Sequence, residues 1–183
     1  MTIKKLNTKY LLISSTLLSI ILISLKDKIK KYMIPTNKAD FIKFLIPYAK
    51  TIGNKIGVPY VFLVSQIILE TNWGKSTLFT KYNNVGGIKA KKGQNFVSLP
   101  TTEYINGVKV KVNQNFAVYK DLIEGLTNYA LIFQNRYFKQ YLNKTTDPDK
   151  FVSLLQSGAT KYATDINYIT KIQALNKEVQ KYA

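Results

Sequence analysis

Ser65-Gln-Ile-Ile-Leu-Glu-Thr-Asn-Trp-Gly-Lys-Ser76 is the second half of a segment whose pattern predicts a buried helix. From Val61 to Leu69 all but two residues are apolar, so the helix would present apolar side chains nearly all round. Pro59 stands where a helix can begin, because the N–H that proline lacks has no partner there anyway. Gly74 stands where the helix would stop. We therefore expect a core helix between these two residues.

Glu70 is the one charge in this helix, and it falls in the predicted last turn. The helix dipole is negative at that end, which disfavours a carboxylate. Burial against Ile67 and Trp73 would disfavour the charged form as well. Both effects keep a carboxyl protonated at neutral pH, as a general acid requires. The alternative is a charge that leans out to solvent just before the helix ends.

The composition restricts the possible chemistry. The chain has 183 residues, which fits one domain plus a short extension, and it contains no Cys and no His. Disulfides, thiol nucleophiles, Ser-His-Asp catalysis and most zinc sites are thereby excluded. Acid–base chemistry must come from Asp, Glu, Tyr or Lys, and we expect neither a metal nor a cofactor.

The net charge of +17 comes from 27 basic and 10 acidic residues. Such an excess is typical of nucleic-acid binding, but Arg136 is the only arginine, and arginine makes the common bidentate contacts with bases. A lysine-rich surface also suits an anionic envelope of lipid headgroups or wall polymers. Genomic bias toward lysine codons would explain the charge with no partner at all. We expect no nucleic-acid partner.

Residues 1–34 form a separate N-terminal segment, and residues 35–183 form the domain. Leu11–Leu25 is an uncharged apolar run with lysines on both sides. It is shorter than the usual membrane span of about 20 residues but fits the core of a signal peptide. Because no small-residue cleavage site follows, we favour an uncleaved membrane anchor made of one apolar helix. A cleaved signal is the alternative.

The clearest β signal is a hairpin between residues 101–105 and 108–112. Asn106-Gly107 is the strongest two-residue hairpin turn, and it sets the register so that Glu103 lies opposite Val110. Alternation then places Glu103 on the valine face of the hairpin and the lysines on the other face. A carboxylate on the apolar face is unusual, although a salt bridge with a nearby lysine would also explain it.

Elimination leaves two carboxylates without a structural role. The other eight fit helix caps, first turns or solvated positions, whereas Glu70 and Glu103 both lie where an apolar residue would stabilise the fold better. Two such carboxylates in a small domain without His or Cys indicate cleavage of a glycosidic bond. Buried ion pairs produce the same pattern.

The same residues carry a resemblance to a known family. The segment 65–76 resembles the AQAxLESGWGKS signature of glycoside hydrolase family 73, the bacterial and phage endo-β-N-acetylglucosaminidases of peptidoglycan. Further motifs follow in the same order: Asn83-Asn84, Gly87-Ile-Lys-Ala90, Thr102-Glu-Tyr104, Phe116, Tyr119 and Tyr162-Ala-Thr-Asp165. The resemblance covers about residues 37–180. It implies a mainly helical α+β, lysozyme-like domain with a small β-hairpin beside the cleft.

The resemblance also implies site residues. Glu70 matches the catalytic acid, Glu103 the second acidic residue and Tyr162 a supporting tyrosine. Trp73, Asn84 and Tyr168 match motif positions expected to contact substrate. The sequence departs from the family at Val85-Gly86-Gly87, where Leu-Phe-Gly is frequent, so an aromatic platform for a sugar is expected to be absent.

The implied activity is hydrolysis of the β-1,4 bond between N-acetylglucosamine and N-acetylmuramic acid in peptidoglycan. Glu103 or the substrate's own acetamido group would complete the mechanism. A muramidase, a lytic transglycosylase and a catalytically silent wall-binding module are the alternatives. We expect a monomer in the cell envelope, anchored with its catalytic domain outside the cytoplasm, or secreted after signal cleavage.

Overall fold

The computed structural model describes residues 33–105 and 108–183. The predicted N-terminal apolar helix and the Asn106-Gly107 turn lie outside the described residues. Ile34 to Ala183 form one compact unit. Within the described part of the chain, no single helix is long and apolar enough to cross a membrane. The helices Lys38–Ile56 and Tyr60–Thr71 meet at a bend of 119°. Among the described helices, only this pair taken together reaches the length and apolar composition of a membrane span.

The first helix, α1, spans Lys38–Ile56. It begins at Asn37, whose side chain accepts a hydrogen bond from the Asp40 backbone N–H. It ends at Gly57, which has φ +80° and closes the last turn in the left-handed region. Pro47 lies inside the helix without dividing it. The apolar face buried on both sides of the proline holds the helix together despite the missing N–H.

The second helix, α2, spans Tyr60–Thr71 and begins after Pro59, as the sequence predicts. It ends earlier than expected, because Asn72 already adopts the left-handed cap conformation with φ +49°. Trp73 and Gly74 follow with φ +59° and +75°. The backbone N–H of Gly74 donates to the Thr71 hydroxyl, which stabilises this tight exit. The chain therefore turns sharply just after Glu70.

The next helix, α3, spans Thr77–Tyr82, with Ser76 as its N-cap. Helical periodicity is absent from this segment of the sequence, so the helix was not expected. Its six residues bury only Phe79, too few to produce a periodic pattern. The ring of Phe79 packs edge-on against Phe41 of α1.

An antiparallel hairpin of β1 (Phe96–Ile105) and β2 (Val108–Ala117) follows. The register confirms the predicted pairing of Glu103 with Val110. Each strand has ten residues, about twice the predicted length. Pro100 weakens the strand pattern in the sequence, but in a sheet of only two strands every strand has a free edge where proline is tolerated.

The C-terminal part of the domain is helical. Its elements are α4 (Leu122–Ala130), 3₁₀ turns at Leu131–Gln134 and Lys139–Tyr141, α5 (Pro148–Ser157) and α6 (Tyr168–Gln180). The central helix α2 packs against α1, α5 and α6. Phe62 of α2 makes edge-on contacts with Phe133 and Phe151 in the middle of this core. The expected fold class, mainly helical with one small sheet, is confirmed.

Candidate active site

Glu70 lies in the last turn of α2, at the one place where this core helix reaches the surface. Residues 61–68 are all buried, whereas Leu69 and Glu70 are exposed. The pKa of the Glu70 carboxyl is nevertheless raised above its ordinary value, because the surrounding protein removes much of its hydration. No cation offsets this effect within residues 33–105 and 108–183. Glu70 thus faces solvent, as one reading of the sequence predicts, while burial shifts its pKa upward, the direction of the other reading.

Glu70 opens into a groove of about 430 Å³. One wall is the helical part of the domain and the other is the hairpin. The lining comes from Glu70, the start of α3 (Ser76, Thr77, Leu78), the following loop (Asn84, Gly86, Gly87), β1 (Leu99, Pro100, Thr101) and Phe116 of β2. A volume of this size is in the range of ligand-binding clefts. The predicted position of the hairpin beside a cleft is confirmed.

Asn84 ties the loop to the hairpin. Its amide nitrogen donates to the carbonyl oxygens of Ile88 at 2.9 Å and Ala117 at 2.7 Å, and its amide oxygen accepts from the Ile88 N–H at 2.8 Å. The side chain is only 1% exposed. Asn84 therefore lines the groove while its amide is hydrogen-bonded to the backbone of the loop and of β2.

Gly86 brings this loop against the carboxyl of Glu70. Its φ of +70° lies in the left-handed region. A methyl group on its α-carbon would lie 3.6 Å from Glu70 Oε2 and 2.8 Å from Cε2 of Tyr129. The position that departs from the family motif thus has no room for a side chain in this conformation.

A cluster of tyrosines lies behind Glu70. The hydroxyl groups of Tyr129 and Tyr162 are 3.2 Å apart. The Tyr162 ring stacks on Phe133 with 5.4 Å between centroids and lies 5.5 Å from the Tyr168 ring. Burial raises the pKa of Tyr162 to about 12, with the negative charge of Glu70 as a further contribution. Tyr162 therefore remains a neutral hydroxyl that can donate or accept a hydrogen bond.

The segment that carries Tyr162 is held on α5. Its backbone N–H donates to the Leu155 carbonyl at 3.1 Å. The side-chain amide of Gln156 forms two hydrogen bonds with the backbone of Ala163, at 3.0 and 3.1 Å. These three bonds fix the tyrosine without a regular helix or strand.

Gln66 is fully buried one turn before Glu70, and neither of its amide atoms has a hydrogen-bond partner among the described residues. The amide still approaches the Tyr162 hydroxyl closely enough to oppose the rise of its pKa. The Tyr168 hydroxyl is likewise buried without a partner. Burial raises the pKa of Tyr168 as well, followed by contributions from Tyr162 and Glu70.

The remaining predicted residues lie in different places. Tyr168 is 3% exposed, so it supports the tyrosine cluster from inside the protein. Trp73 lies beneath Lys38, whose Nζ is 4.6 Å from the ring centroid, and it is not among the described groove residues. Glu103 follows the groove residue Thr101 by two positions on β1 and pairs with Val110 of β2.

Sequence reasoning missed two residues of this site, Gln66 and Tyr129. Gln66 gave a signal, since it is one of two polar residues in an apolar run. Tyr129 looks like an ordinary core residue of an amphipathic helix, and its pairing with Tyr162 arises only from the tertiary fold. No group of Asp and Glu side chains suited to a metal ion occurs in the described residues.

Comparisons with known proteins agree with this geometry. The mannosyl-glycoprotein endo-beta-N-acetylglucosaminidase family matches residues 46–181. The chain is 31% identical over 150 residues to the peptidoglycan hydrolase FlgJ of Pseudomonas aeruginosa, covering 78% of this chain and 37% of that protein. It is 30% identical over 148 residues to the exo-glucosaminidase LytG of Bacillus subtilis, covering 78% of this chain and 50% of that protein. The chain therefore spans half or less of the length of these two relatives.

A solved structure extends the likeness to three dimensions. The C-terminally truncated glycoside hydrolase domain of FlgJ from Salmonella typhimurium superposes with a TM-score of 0.65 at 27% identity, over 80% of this chain and all of that one. The family match covers most of the described domain, including the groove and the tyrosine cluster. The chain belongs to the glucosaminidase family of glycoside hydrolases, family 73.

Proposed function

We propose that this protein hydrolyses peptidoglycan at the β-1,4 bond between N-acetylglucosamine and N-acetylmuramic acid, with Glu70 as the general acid. The observation that carries the proposal is the raised pKa of Glu70 at the floor of an open groove. A general acid must hold its proton at the working pH and must reach the substrate. Desolvation raises the pKa of Glu70, which is the direction that a general acid needs, and its groove side stays exposed.

The first chemical step is proton transfer from Glu70 to the glycosidic oxygen. The bond from that oxygen to the anomeric carbon of N-acetylglucosamine then breaks, and positive charge develops on the sugar ring. A second group must stabilise this charge or activate water. We assign this role to Glu103, which pairs with Val110 on β1, or to the substrate's own acetamido oxygen.

Tyr129 and Tyr162 support this step from behind the acid. Glu70 becomes a carboxylate when its proton leaves, and that charge would be poorly hydrated at this position. Because both tyrosines stay neutral, their hydroxyl groups remain available as donors in its vicinity. Hydrogen bonds to a charge that exists only after proton transfer accelerate the reaction rather than substrate binding.

Purified protein incubated with purified peptidoglycan tests the proposal, with mass spectrometry of the released fragments. Fragments ending in reducing N-acetylglucosamine are expected. Reducing N-acetylmuramic acid would identify a muramidase, and the anhydro form would identify a lytic transglycosylase. Binding to the wall without release of any fragment would leave only a wall-binding module.

We also propose that residues 1–34 place the domain in the cell envelope, with the domain outside the cytoplasm. The support is the lysine-flanked apolar run in the sequence. Fractionation of cells that express the full chain should recover it with membranes. A chain that begins at Asn37 should be recovered in the soluble fraction with its glycan-cleaving activity unchanged.

A further inference from the structure

Two side chains next to the active site have unsatisfied polar atoms. The described residues contain four buried side-chain atoms without a hydrogen-bond partner: both amide atoms of Gln66, the Tyr168 hydroxyl and Oδ1 of Asn176. Three of these four belong to residues that flank Tyr162. The amide of Gln66 approaches the Tyr162 hydroxyl, and the ring of Tyr168 packs 5.5 Å from the Tyr162 ring.

An unsatisfied buried polar atom costs about 1–3 kcal/mol, so such atoms are rarely left in this state. Folded proteins satisfy them with internal water, which needs two to four polar partners. The Gln66 amide and the hydroxyls of Tyr162 and Tyr168 supply partners of this number and kind. Ser65 shows the contrast within the same helix, because its equally buried hydroxyl donates to the Val61 carbonyl at 3.0 Å.

Gln66 is also placed to act on Glu70. Residues four apart lie on one face of a helix, so Gln66 lies one turn before Glu70 on the same face of α2. The Tyr129–Tyr162 hydrogen bond can run in either direction, since either hydroxyl can donate. An amide that donates with one atom and accepts with the other can fix that direction.

We propose that Gln66 is a positioning residue of the active site: its amide and the Tyr168 hydroxyl hold an internal water, and together they orient the Tyr129–Tyr162 pair toward Glu70. This inference deepens the proposed function and rests on it. When Glu70 has given its proton to the glycosidic oxygen, a pair oriented in this way directs an O–H toward the new carboxylate. Gln66 itself touches neither substrate nor the transferred proton.

Gln66→Met separates this role from a packing role. The substitution roughly conserves volume, but it removes the amide's hydrogen bonds to the water and leaves the Tyr168 hydroxyl without a partner, so the melting temperature should fall modestly. Turnover of peptidoglycan should fall about tenfold at unchanged KM, the effect of about one lost hydrogen bond in the transition state. Ser65→Ala is the matched control, because it truncates the adjacent buried side chain, and it should leave turnover unchanged.

Gln66→Glu adds a readout that packing alone would not change. A protonated carboxyl donates and accepts like the amide, whereas an ionised one cannot donate and repels Glu70. The titratable groups that face this position are Glu70 on α2, Tyr129 on α4, Tyr162 before α6 and Tyr168 on α6. The tyrosines remain neutral, so the two carboxyls are the groups here that titrate below the range of the tyrosines. The alkaline limb of the activity profile should therefore move to lower pH.

A high-resolution crystal structure of the full chain tests the water directly and independently of catalysis. Electron density for a water bonded to Gln66 and to the Tyr168 hydroxyl is expected in the wild type, and its absence is expected in Gln66→Met. If the wild type shows the water but cleaves no peptidoglycan, the proposed function fails while the water site stands. A dry gap between the two residues, or wild-type turnover and pH profile in both Gln66 variants, would overturn the inference.

Discussion

Gly86 lies directly against Glu70, with its α-carbon turned so that an added methyl group would come within 3.6 Å of Glu70 Oε2. The loop that carries this glycine forms the floor of the groove beside the acid. A side chain at this position would also collide with the buried ring of Tyr129, so the close approach of the loop depends on glycine.

Gly86→Ala should destabilise the protein more than Gly93→Ala. Both glycines have positive φ, +70° and +81°, so each substitution costs about 1–2 kcal/mol in backbone conformation. Only at position 86 does the methyl group collide with a buried ring, that of Tyr129 at 2.8 Å, whereas Gly93 has no atom within 4 Å. Urea denaturation measures both free energies of unfolding, and equal losses would show that the Tyr129 ring can move aside.

Glu70→Gln should abolish nearly all hydrolysis while the fold is retained. The amide has almost the same shape but cannot deliver a proton, and general acid catalysis contributes about 10²–10⁴-fold. Release of reducing sugars from peptidoglycan measures the effect. Glu178→Gln is the matched control, because this glutamate pairs with Lys181 on the outside of α6 and should leave turnover unchanged.

The same variant should also change how stability depends on pH. The folded protein holds the Glu70 proton more tightly than the unfolded chain, whose pKa is the ordinary 4.5. Wild-type stability therefore falls as the pH rises from about 4.5 through the raised folded pKa, and the loss is complete above it. The melting temperature of Glu70→Gln relative to wild type should be higher at pH 7 than at pH 4. A constant difference would contradict a raised pKa.

Tyr162→Phe should lower turnover by about 10²-fold, the loss typical of one hydrogen bond that stabilises charge in the transition state. Because the pKa of Tyr162 is about 12, this hydroxyl acts without ionising, and the acidic limb of the pH profile should keep its position. Tyr137→Phe is a suitable control, since Tyr137 is exposed and packs beside Phe138. Steady-state kinetics over a pH series measures both the fall in turnover and the position of the acidic limb.

Asn84→Ala should act mainly on stability. It leaves the Ile88 N–H and the Ala117 carbonyl without their partner, at about 1–3 kcal/mol for each buried group. Asn128→Ala provides the comparison, because its single bond to the Glu124 carbonyl lies within one helix and should cost far less. Normal stability of Asn84→Ala combined with a raised KM would instead make the amide a substrate contact.

The sequence predicts local features of this domain well and tertiary ones poorly. The proline start of α2 and the register set by Asn106-Gly107 depend on short-range chemistry, and both expectations agree with the structure. Gln66 and Ser65 look equivalent in the sequence. Whether a buried hydroxyl or amide has a hydrogen-bond partner depends on the length of its side chain and on the residues that pack over it. Only the three-dimensional structure shows which residues these are.

The same limit applies to the tyrosines. Tyr129 and Tyr162 are 33 residues apart, and their contact depends on how α4, α5 and the segment before α6 meet. Sequence motifs drew attention to Tyr162 alone. The register of β1 could be predicted, but the length of the hairpin could not, because Pro100 interrupts the pattern of alternation.

Glu103→Gln should reduce turnover far more than wall binding. Glu103 lies two residues beyond Thr101, which lines the groove, and we expect it to reach the bound glycan. Stabilisation of positive charge on the sugar is needed only in the transition state, so kcat should fall while KM changes little. Lys111→Gln is the control on the opposite face of the hairpin, and it should leave kcat unchanged.

Changes at the tip of the hairpin should lower turnover as Glu103→Gln does. A two-stranded sheet is only marginally stable alone, so we expect it to close over the glycan and bring Glu103 into range. Replacing Asn106-Gly107 by a slack linker should then lower kcat without altering either acid. If this change and Glu103→Gln both weaken binding but leave turnover of bound glycan normal, Glu103 contacts substrate or forms an ion pair. The two-carboxylate mechanism would then give way to assistance by the substrate's acetamido group.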